Sequence, residues 1–235
     1  MHKPDTVSPE AWQQARLALM EQEKAFTRQR DALSQARREL PWVQIGKSYE
    51  FDSPDGKKNL ADLFGDCSQL IVYHFMFGPD WKEGCPSCSF WADNCQGTLP
   101  HLRARDISLA LVSRASLGVL EGYIKRMGWT FNWVSSGNSD FSLDFVVSFE
   151  HKDGPPTEPN YNFARQTFKG DEAPGLSIFY RDEAGDIYYT YSCYARGQDM
   201  LNGSYHHMDL IPKGRDEAGL PHTMAWLKRR DQYGS

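Results

Sequence analysis

The sequence predicts an α/β fold in which a central mixed sheet is flanked by helices. Between residues 70 and 134, apolar runs of strand length alternate with helical segments, a pattern typical of βαβ units with parallel strands. Residues 176–180 and 187–191 are apolar and aromatic runs around a polar turn, which predicts an antiparallel β-hairpin. The chain has 235 residues and is 40% hydrophobic, so it is long enough to bury a sizeable core.

The first predicted element is one long helix. Ser8 is a good N-cap, Pro9 suits the first helical position, and Pro41 ends the pattern. We therefore predict two parts, an N-terminal helical extension over residues 1–40 and a main domain over residues 41–235. The extension is expected to pack against the main domain or to join two subunits as a homodimer.

The main domain is predicted to begin with short strands and to continue with the alternating elements. The predicted strands cover residues 42–45, 49–51, 70–77, 108–112 and 130–134, and the predicted helical segments cover residues 59–64, 87–105, 116–127 and 223–230. Residues 70–77 are continuously apolar, as in a fully buried strand. Residues 135–170 are rich in Ser, Gly, Asp, Asn and Pro, which predicts an insertion before the hairpin.

A CxxC motif at residues 85–88 follows the buried strand and precedes a predicted helix. Cys85 would then lie at a helix N-terminus, where free backbone N–H groups and the helix dipole stabilise a thiolate. Asp80 and Glu83 are close in sequence and could oppose that charge. The order strand, CxxC, helix is typical of thioredoxin-like proteins. It predicts a redox-active pair in which Cys85 is the catalytic nucleophile and Cys88 the resolving thiol.

Pro174 directly precedes the predicted hairpin. Thioredoxin-like folds carry a cis-proline at that place, opposite the CxxC, so we predict a cis bond at Pro174 and a role in shaping a substrate groove. Phe77, Trp81 and Trp91 are near the motif in sequence and are candidates for lining this groove. Packing in the core is the alternative for each aromatic side chain.

Several segments resemble one bacterial thioredoxin-like family. These segments are HFMFGPDW, GCPSCSFWAD, PGLSIFYR, YSCYARG and GRDE. The resemblance covers about residues 10–230, and the family is known as a domain of unknown function grouped near the thioredoxins and the alkyl hydroperoxide reductase/thiol-specific antioxidant (AhpC/TSA) proteins. It implies a thioredoxin-like fold with an N-terminal helical extension, and it implies little about the substrate.

Two other interpretations of the motif stay open, a structural metal site and a non-catalytic binding or structural module. Zinc needs four ligands; Cys85 and Cys88 would supply two, and Cys95 would lie two turns after Cys88 on the same helix, but the chain has no second CxxC and no HxxxH. We therefore predict no metal. The peroxiredoxin motif Pro-x-x-x-Thr/Ser-x-x-Cys is absent, because Gly78 and Trp81 occupy the proline positions relative to the two cysteines.

Net charge and hydropathy restrict the partners and the compartment that we expect. The net charge of −5 gives no reason to expect nucleic acid or an anionic membrane as a partner. No stretch approaches the roughly 20 apolar residues of a membrane span, and the N-terminus lacks a signal-peptide pattern. We expect a cytoplasmic protein that needs no cofactor and reacts with a protein or small-molecule thiol or disulfide. Cys67, Cys95 and Cys193 are expected to be packing thiols, although Cys193 could approach the pair.

Overall fold

The structure is a computed structural model that describes residues 4–149, 160–165 and 170–234. The described chain forms two compact units, one that ends at Pro41 and one that begins at Trp42. The first unit contains helix α1, Pro9–Arg38. Ser8 caps this helix, because its hydroxyl oxygen accepts a hydrogen bond from the backbone N–H of Ala11 at 3.2 Å.

Within the described residues, eight strands of the second unit form one mixed sheet. They are β1 Val43–Gln44, β2 Glu50–Ser53, β3 Gly56–Asn59, β4 Gln69–His74, β5 Ile107–Ser113, β6 Asn132–Ser135, β7 Gly175–Arg181 and β8 Ile187–Tyr194. Their order across the sheet is β1-β8-β7-β4-β5-β6-β2-β3. The pairs β4–β5 and β5–β6 are parallel, and β7 and β8 form the antiparallel hairpin beside β4. The predicted mixed sheet and hairpin are confirmed.

Helices lie between these strands and after the hairpin. They are α2 Pro86–Gln96, α3 Leu99–Arg103, α4 Leu117–Met127, α5 Phe141–Asp144 and α6 Gly203–Met208. Short 3-10 turns cover Ala61–Phe64, Tyr161–Phe163, Ala195–Leu201 and Arg230–Gln232. Of the described helices, none combines the length and the apolar character that crossing a membrane requires.

Several elements differ from the sequence prediction. The helix predicted over residues 87–105 is interrupted at Gly97 and Thr98, where the Thr98 hydroxyl donates to the carbonyl oxygen of Cys95 at 2.7 Å. The helix predicted over residues 223–230 is wrong, because residues 223–226 form a turn and residues 227–229 have no regular structure. The polar strand β3 has no predicted counterpart, since it is held by pairing with β2 and not by an apolar face.

Apolar clusters cover the two faces of the sheet. Successive side chains of β4 point to opposite faces of the sheet. Tyr73 therefore belongs to the cluster under α2 and α4, and Val72 belongs to the cluster on the other face. The predicted insertion contributes to the second cluster, because Phe141 and Phe145 are buried there. Residues 150–159 and 166–169 of the predicted insertion lie outside the described residues.

Candidate active site

The CxxC motif lies where β4 ends and α2 begins. Cys85 is the N-cap of α2, with φ −54° and ψ 130°, and Pro86 takes the first helical position. The backbone N–H of Cys85 donates to the carbonyl oxygen of Met76 at 3.1 Å, which holds the loop against the strand end. The predicted order of strand, motif and helix is therefore confirmed.

The two thiols of the motif are free and differ in exposure. The side chain of Cys88 is buried under the first turn of α2, with the residue only 1% exposed, whereas Cys85 is partly exposed. The backbone N–H of Met76 donates to the sulfur of Cys88 at 3.4 Å. A reagent in solution can therefore meet Cys85 first, while Cys88 is reached through Cys85.

The site separates the acidities of the two thiols. A hydrogen bond from the Cys88 thiol, with further ones from the backbone N–H groups of Cys88 and Ser87 and from the Ser87 side chain, lowers the pKa of Cys85 from 9.0 to about 6 against the opposing effect of burial. Burial raises the pKa of Cys88 well above its ordinary value, and its interaction with Cys85 adds to the rise. At neutral pH Cys85 is thus a thiolate and Cys88 a thiol.

An arginine from the C-terminal tail holds the loop that leads to Cys85. Arg229 donates from Nε and Nη2 to the carbonyl oxygen of Gly84, at 3.2 and 2.7 Å. Its Nη1 lies 2.9 Å from a carboxylate oxygen of Glu83. The Arg229 side chain is 13% exposed, so solvent screens these contacts weakly.

A second arginine shares the carboxylate of Glu83. Arg126, near the end of α4, donates to Glu83 and is itself bound by Asp231 of the tail at 2.6 Å. The hydrogen bond from Arg126 lowers the pKa of Glu83, and the charge of Arg229 adds to this effect. The negative charge that the sequence places beside Cys85 is therefore paired with two guanidinium groups.

Tyr123 of α4 connects Arg229 to the first turn of α2. The Tyr123 hydroxyl accepts from Arg229 Nε at 3.0 Å and lies 2.8 Å from the Ser89 hydroxyl. Ser89 in turn donates to the carbonyl oxygen of Cys85 at 2.8 Å, so Tyr123 is the donor to Ser89. This directed chain of hydrogen bonds runs from the tail to the backbone of Cys85.

Gly84 has no room for a side chain. A Cβ atom at this position would lie 2.7 Å from Cε1 of Phe75 and 3.0 Å from Cε1 of Tyr123. The glycine therefore lets the loop lie directly on these two rings. This close approach places the Gly84 carbonyl within reach of Arg229.

Pro174 lies at the same end of the sheet as the motif, but its peptide bond is trans. No peptide bond between described residues is cis, so the predicted cis bond is wrong. The N–H of Ala173 donates to the carbonyl oxygen of Val147 at 2.7 Å, and a trans bond continues this extended segment into β7. Gly175, which follows Pro174, pairs with His74 at the end of β4.

Tyr161 contacts Pro174 beside the buried thiol. Its hydroxyl donates to the carbonyl oxygen of Pro174 at 2.7 Å and accepts from the backbone N–H of Ala195 at 3.1 Å. Burial raises the pKa of Tyr161, and the nearby thiols of Cys88 and Cys193 raise it further. The structure thus brings Pro174, Tyr161 and Cys193 to the Cys88 side of the motif.

The aromatic candidates separate into different surroundings. Phe77 is fully buried, so its predicted place in an open groove is wrong. Trp81 is partly exposed and packs against the core. Its ring lies directly on Gly78, because a Cβ atom added to Gly78 would be 2.8 Å from Nε1 of Trp81. Trp91 is partly buried and lines a cavity under α2. Of the three aromatic candidates, Trp81 and Trp91 thus keep part of their surface exposed.

His74, Cys67 and Cys95 are packed in the protein interior. His74 is 2% exposed, its Nε2 lies 2.8 Å from the Ser177 hydroxyl, and burial lowers its pKa to about 3, so it is a neutral core histidine. Cys67 is buried and Cys95 is partly buried. Within the part of the chain that the structure describes, no three His, Cys, Asp or Glu residues come together as metal ligands.

A family model matches almost the entire chain. It is described as a bacterial protein of unknown function, DUF899, and it matches residues 1–233. The chain belongs to the DUF899 family. Its fold is thioredoxin-like, because parallel strands with the CxxC at the start of α2 share one sheet with the C-terminal hairpin. The family resemblance and the fold predicted from the sequence are confirmed.

The DUF899 chain is also similar to solved structures of peroxiredoxins, and no curated protein matches it in sequence. Three of them are a mutant of PrxQ from Xylella fastidiosa (16% identity, 69% of this chain and 90% of that chain, TM-score 0.42), peroxiredoxin Q from Xanthomonas campestris (14%, 72% and 96%, 0.46) and the peroxidoxin BcpB from Mycobacterium tuberculosis (9%, 70% and 95%, 0.48). At such low identity the likeness concerns the fold and says nothing of activity.

Proposed function

We propose that this protein is a thiol–disulfide oxidoreductase in which Cys85 attacks and Cys88 resolves. The asymmetry of the pair supports this proposal most directly. Cys85 is partly exposed at a helix N-terminus with a lowered pKa, and Cys88 is a buried thiol that hydrogen-bonds to it. A nucleophile needs thiolate character and access, and a resolving thiol needs only proximity.

The reaction proceeds in two displacements. The Cys85 thiolate attacks one sulfur of a substrate disulfide, so that a mixed disulfide forms and the other half leaves as a thiolate. Cys88 then gives up its proton to that departing thiolate and attacks the Cys85 sulfur, which releases the second half as a thiolate. The substrate gains two electrons, and the Cys85–Cys88 pair becomes a disulfide. A dithiol reductant returns the pair to its starting state.

The surroundings of the pair favour a disulfide carried on a protein or a small molecule. Trp81 is partly exposed and is close to Cys85 in the chain, and Pro174 directly precedes β7, where Tyr161 contacts it on the Cys88 side of the motif. We assign these two residues to the substrate groove. Trp91, which the sequence also suggests for this role, lines the cavity under α2.

The reduction potential of the pair tests the proposal. Thiol labelling across glutathione buffers is carried out on the wild type, Cys85→Ser and Cys95→Ser. A two-electron transition between roughly −120 and −270 mV, present in Cys95→Ser and absent in Cys85→Ser, is expected for a working oxidoreductase. A pair that never closes, or a Cys85 that resists labelling in the folded protein, would exclude this function and favour the non-catalytic module.

Helix α1 supports a separate proposal, a homodimer through the N-terminal helix. Apolar side chains recur on α1 with a spacing of seven residues and are exposed: Trp12 61%, Leu19 49%, Phe26 65% and Leu33 52%. A seven-residue repeat is typical of helices that pair along one seam. Sedimentation of the wild type and of Trp12→Glu/Phe26→Glu tests it: the wild type should be dimeric and the variant monomeric, and a monomeric wild type contradicts it.

A further inference from the structure

A cavity of about 200 Å³ lies between α2 and one face of the sheet. We call it the α2 cavity. The strands contribute Tyr73 of β4, Leu111 of β5 and Leu176 of β7, and α2 contributes Trp91 and Cys95. The cavity lies on the same side of the sheet as the CxxC motif. The part of α2 that lines it is the later turns of the helix, not the first turn that carries the motif.

The polar groups at the mouth of the α2 cavity already have partners. Asn94 accepts from the backbone N–H of Ser204 at 2.8 Å and donates to the carbonyl oxygen of Phe90 at 2.8 Å. Thr98 donates to the carbonyl oxygen of Cys95. Leu201, which is 47% exposed, completes the mouth. A molecule can therefore enter between satisfied polar groups and an exposed leucine.

One polar group of the cavity wall has no such partner. Tyr73 is 5% exposed, and within the described residues its hydroxyl makes no hydrogen bond to a nitrogen or oxygen atom but lies beside the thiol of Cys88. Buried hydroxyl groups are rarely left unpaired, and the neighbouring thiols of Cys88 and Cys95 are weak acceptors. The Tyr73 hydroxyl therefore has only the Cys88 sulfur beside it as an acceptor, and a ligand oxygen would accept its hydrogen bond better.

We propose that the α2 cavity binds a small uncharged apolar molecule, about the size of a substituted benzene, whose single acceptor takes the hydrogen bond of Tyr73. An apolar protein cavity of about 150 Å³ accommodates benzene, so this one has room for a few more atoms. No Asp, Glu, Lys, Arg or His is among the described residues that line it. Burial raises the pKa of Cys95 to about 11, so this thiol is also neutral, and a charged ligand would lose its hydration without compensation.

Two probes with the same carbon skeleton distinguish binding to the cavity itself from the contribution of the Tyr73 hydrogen bond. Acetophenone has a carbonyl acceptor, and ethylbenzene has none. Each is titrated by ligand-observed NMR into the wild type, Tyr73→Phe, Cys95→Phe and Cys95→Ser. The phenylalanine at position 95 would fill the cavity, and the serine is its matched control.

The wild type and Cys95→Ser should bind both probes, and Cys95→Phe should bind neither. Tyr73→Phe should bind acetophenone about three- to tenfold more weakly and ethylbenzene unchanged, as expected for one neutral hydrogen bond. Wild-type protein that binds neither probe up to its solubility overturns the proposal, a result that does not depend on any variant folding. Equal loss of both probes in Tyr73→Phe would overturn the assigned hydrogen bond.

Discussion

Arg229 donates two hydrogen bonds to the carbonyl oxygen of Gly84, the residue immediately before Cys85. The two residues are 145 positions apart in the chain, so the C-terminal tail fixes the entry to the CxxC helix. The same guanidinium pairs with Glu83 and contacts Tyr123. The thiolate site therefore depends on a residue that no part of the CxxC motif encodes.

Replacing Arg229 should loosen this loop and raise the pKa of Cys85. In Arg229→Gln the Gly84 carbonyl loses two charged donors and Glu83 loses one of its two cations, so negative charge beside Cys85 is less compensated. We expect the free energy of unfolding to fall by about 1–3 kcal/mol, because the hydrogen bonds come from a charged group and are partly buried. Denaturant unfolding and the pH dependence of Cys85 alkylation measure the two effects.

Arg230→Gln is the matched control for that experiment. Arg230 is the next residue, and its guanidinium lies 3.2 Å from Asp93 with the side chain 47% exposed. Because the Arg230 side chain is half-exposed and makes one ion pair, removing it should change stability by no more than about 1 kcal/mol and leave the alkylation profile of Cys85 in place. Equal effects of the two variants would show that the tail acts by general charge and not by holding Gly84.

The pH dependence of alkylation should report the lowered pKa of Cys85. Thiolate forms above the pKa, so the iodoacetamide rate should rise with a midpoint near pH 6 and be about 90% of its maximum at pH 7. Cys88→Ala removes the largest lowering contribution and should move the midpoint to higher pH. A wild-type midpoint near the ordinary value of 9.0, or one unchanged by Cys88→Ala, would contradict the pairing of the two thiols.

Gly84→Ala should be far more harmful than another glycine replacement nearby. The added methyl group would meet the Phe75 ring at 2.7 Å, so the loop must move away from α4 and from Arg229. Such overpacking costs about 1–3 kcal/mol of stability. Gly97→Ala, at the end of α2, meets nothing within 4 Å and has φ −72°, so it should be neutral or stabilising. Thermal unfolding compares the two variants, and similar melting temperatures would argue against the close approach.

Local sequence patterns predict an element well where residues within that element or next to it are enough to specify its structure. The continuous apolar run that contains β4, the Pro86 that begins α2 and the Gly128 that follows α4 each carry a local signal. The same signals predict the position of Cys85 at the N-terminus of α2. They fail at β3, because a polar strand depends on its partner β2.

The environment of the thiols is less predictable, because its contacts are distant in sequence. Tyr123 and Arg229 reach the Cys85 loop from α4 and from the tail, and neither lies in a recognisable motif. The trans bond at Pro174 has the same origin, since pairing of Ala173 with Val147 determines the path of the chain there.

The buried carboxyl of Glu172 should make the protein less stable as the pH rises. Glu172 is 4% exposed, and burial raises its pKa from 4.5 to about 7, although Ser148 donates to it at 2.8 Å and Arg114 lies 3.4 Å away. The folded state therefore holds this proton more tightly than the unfolded state. Its stabilising contribution is complete below about pH 4.5 and is lost as the pH rises through about 7, a change of up to about 3 kcal/mol.

Glu172→Gln removes that titration and should flatten the pH dependence of the unfolding free energy between pH 5 and 8, roughly the window set by the shifted pKa. Arg114→Gln provides the complementary test, because loss of the cation should move the transition of Glu172 to higher pH. Urea unfolding at several pH values measures both. If the wild type and Glu172→Gln show parallel pH profiles, Glu172 does not hold its proton in the folded state, and the carboxylate must be ionised and fully compensated by Ser148 and Arg114.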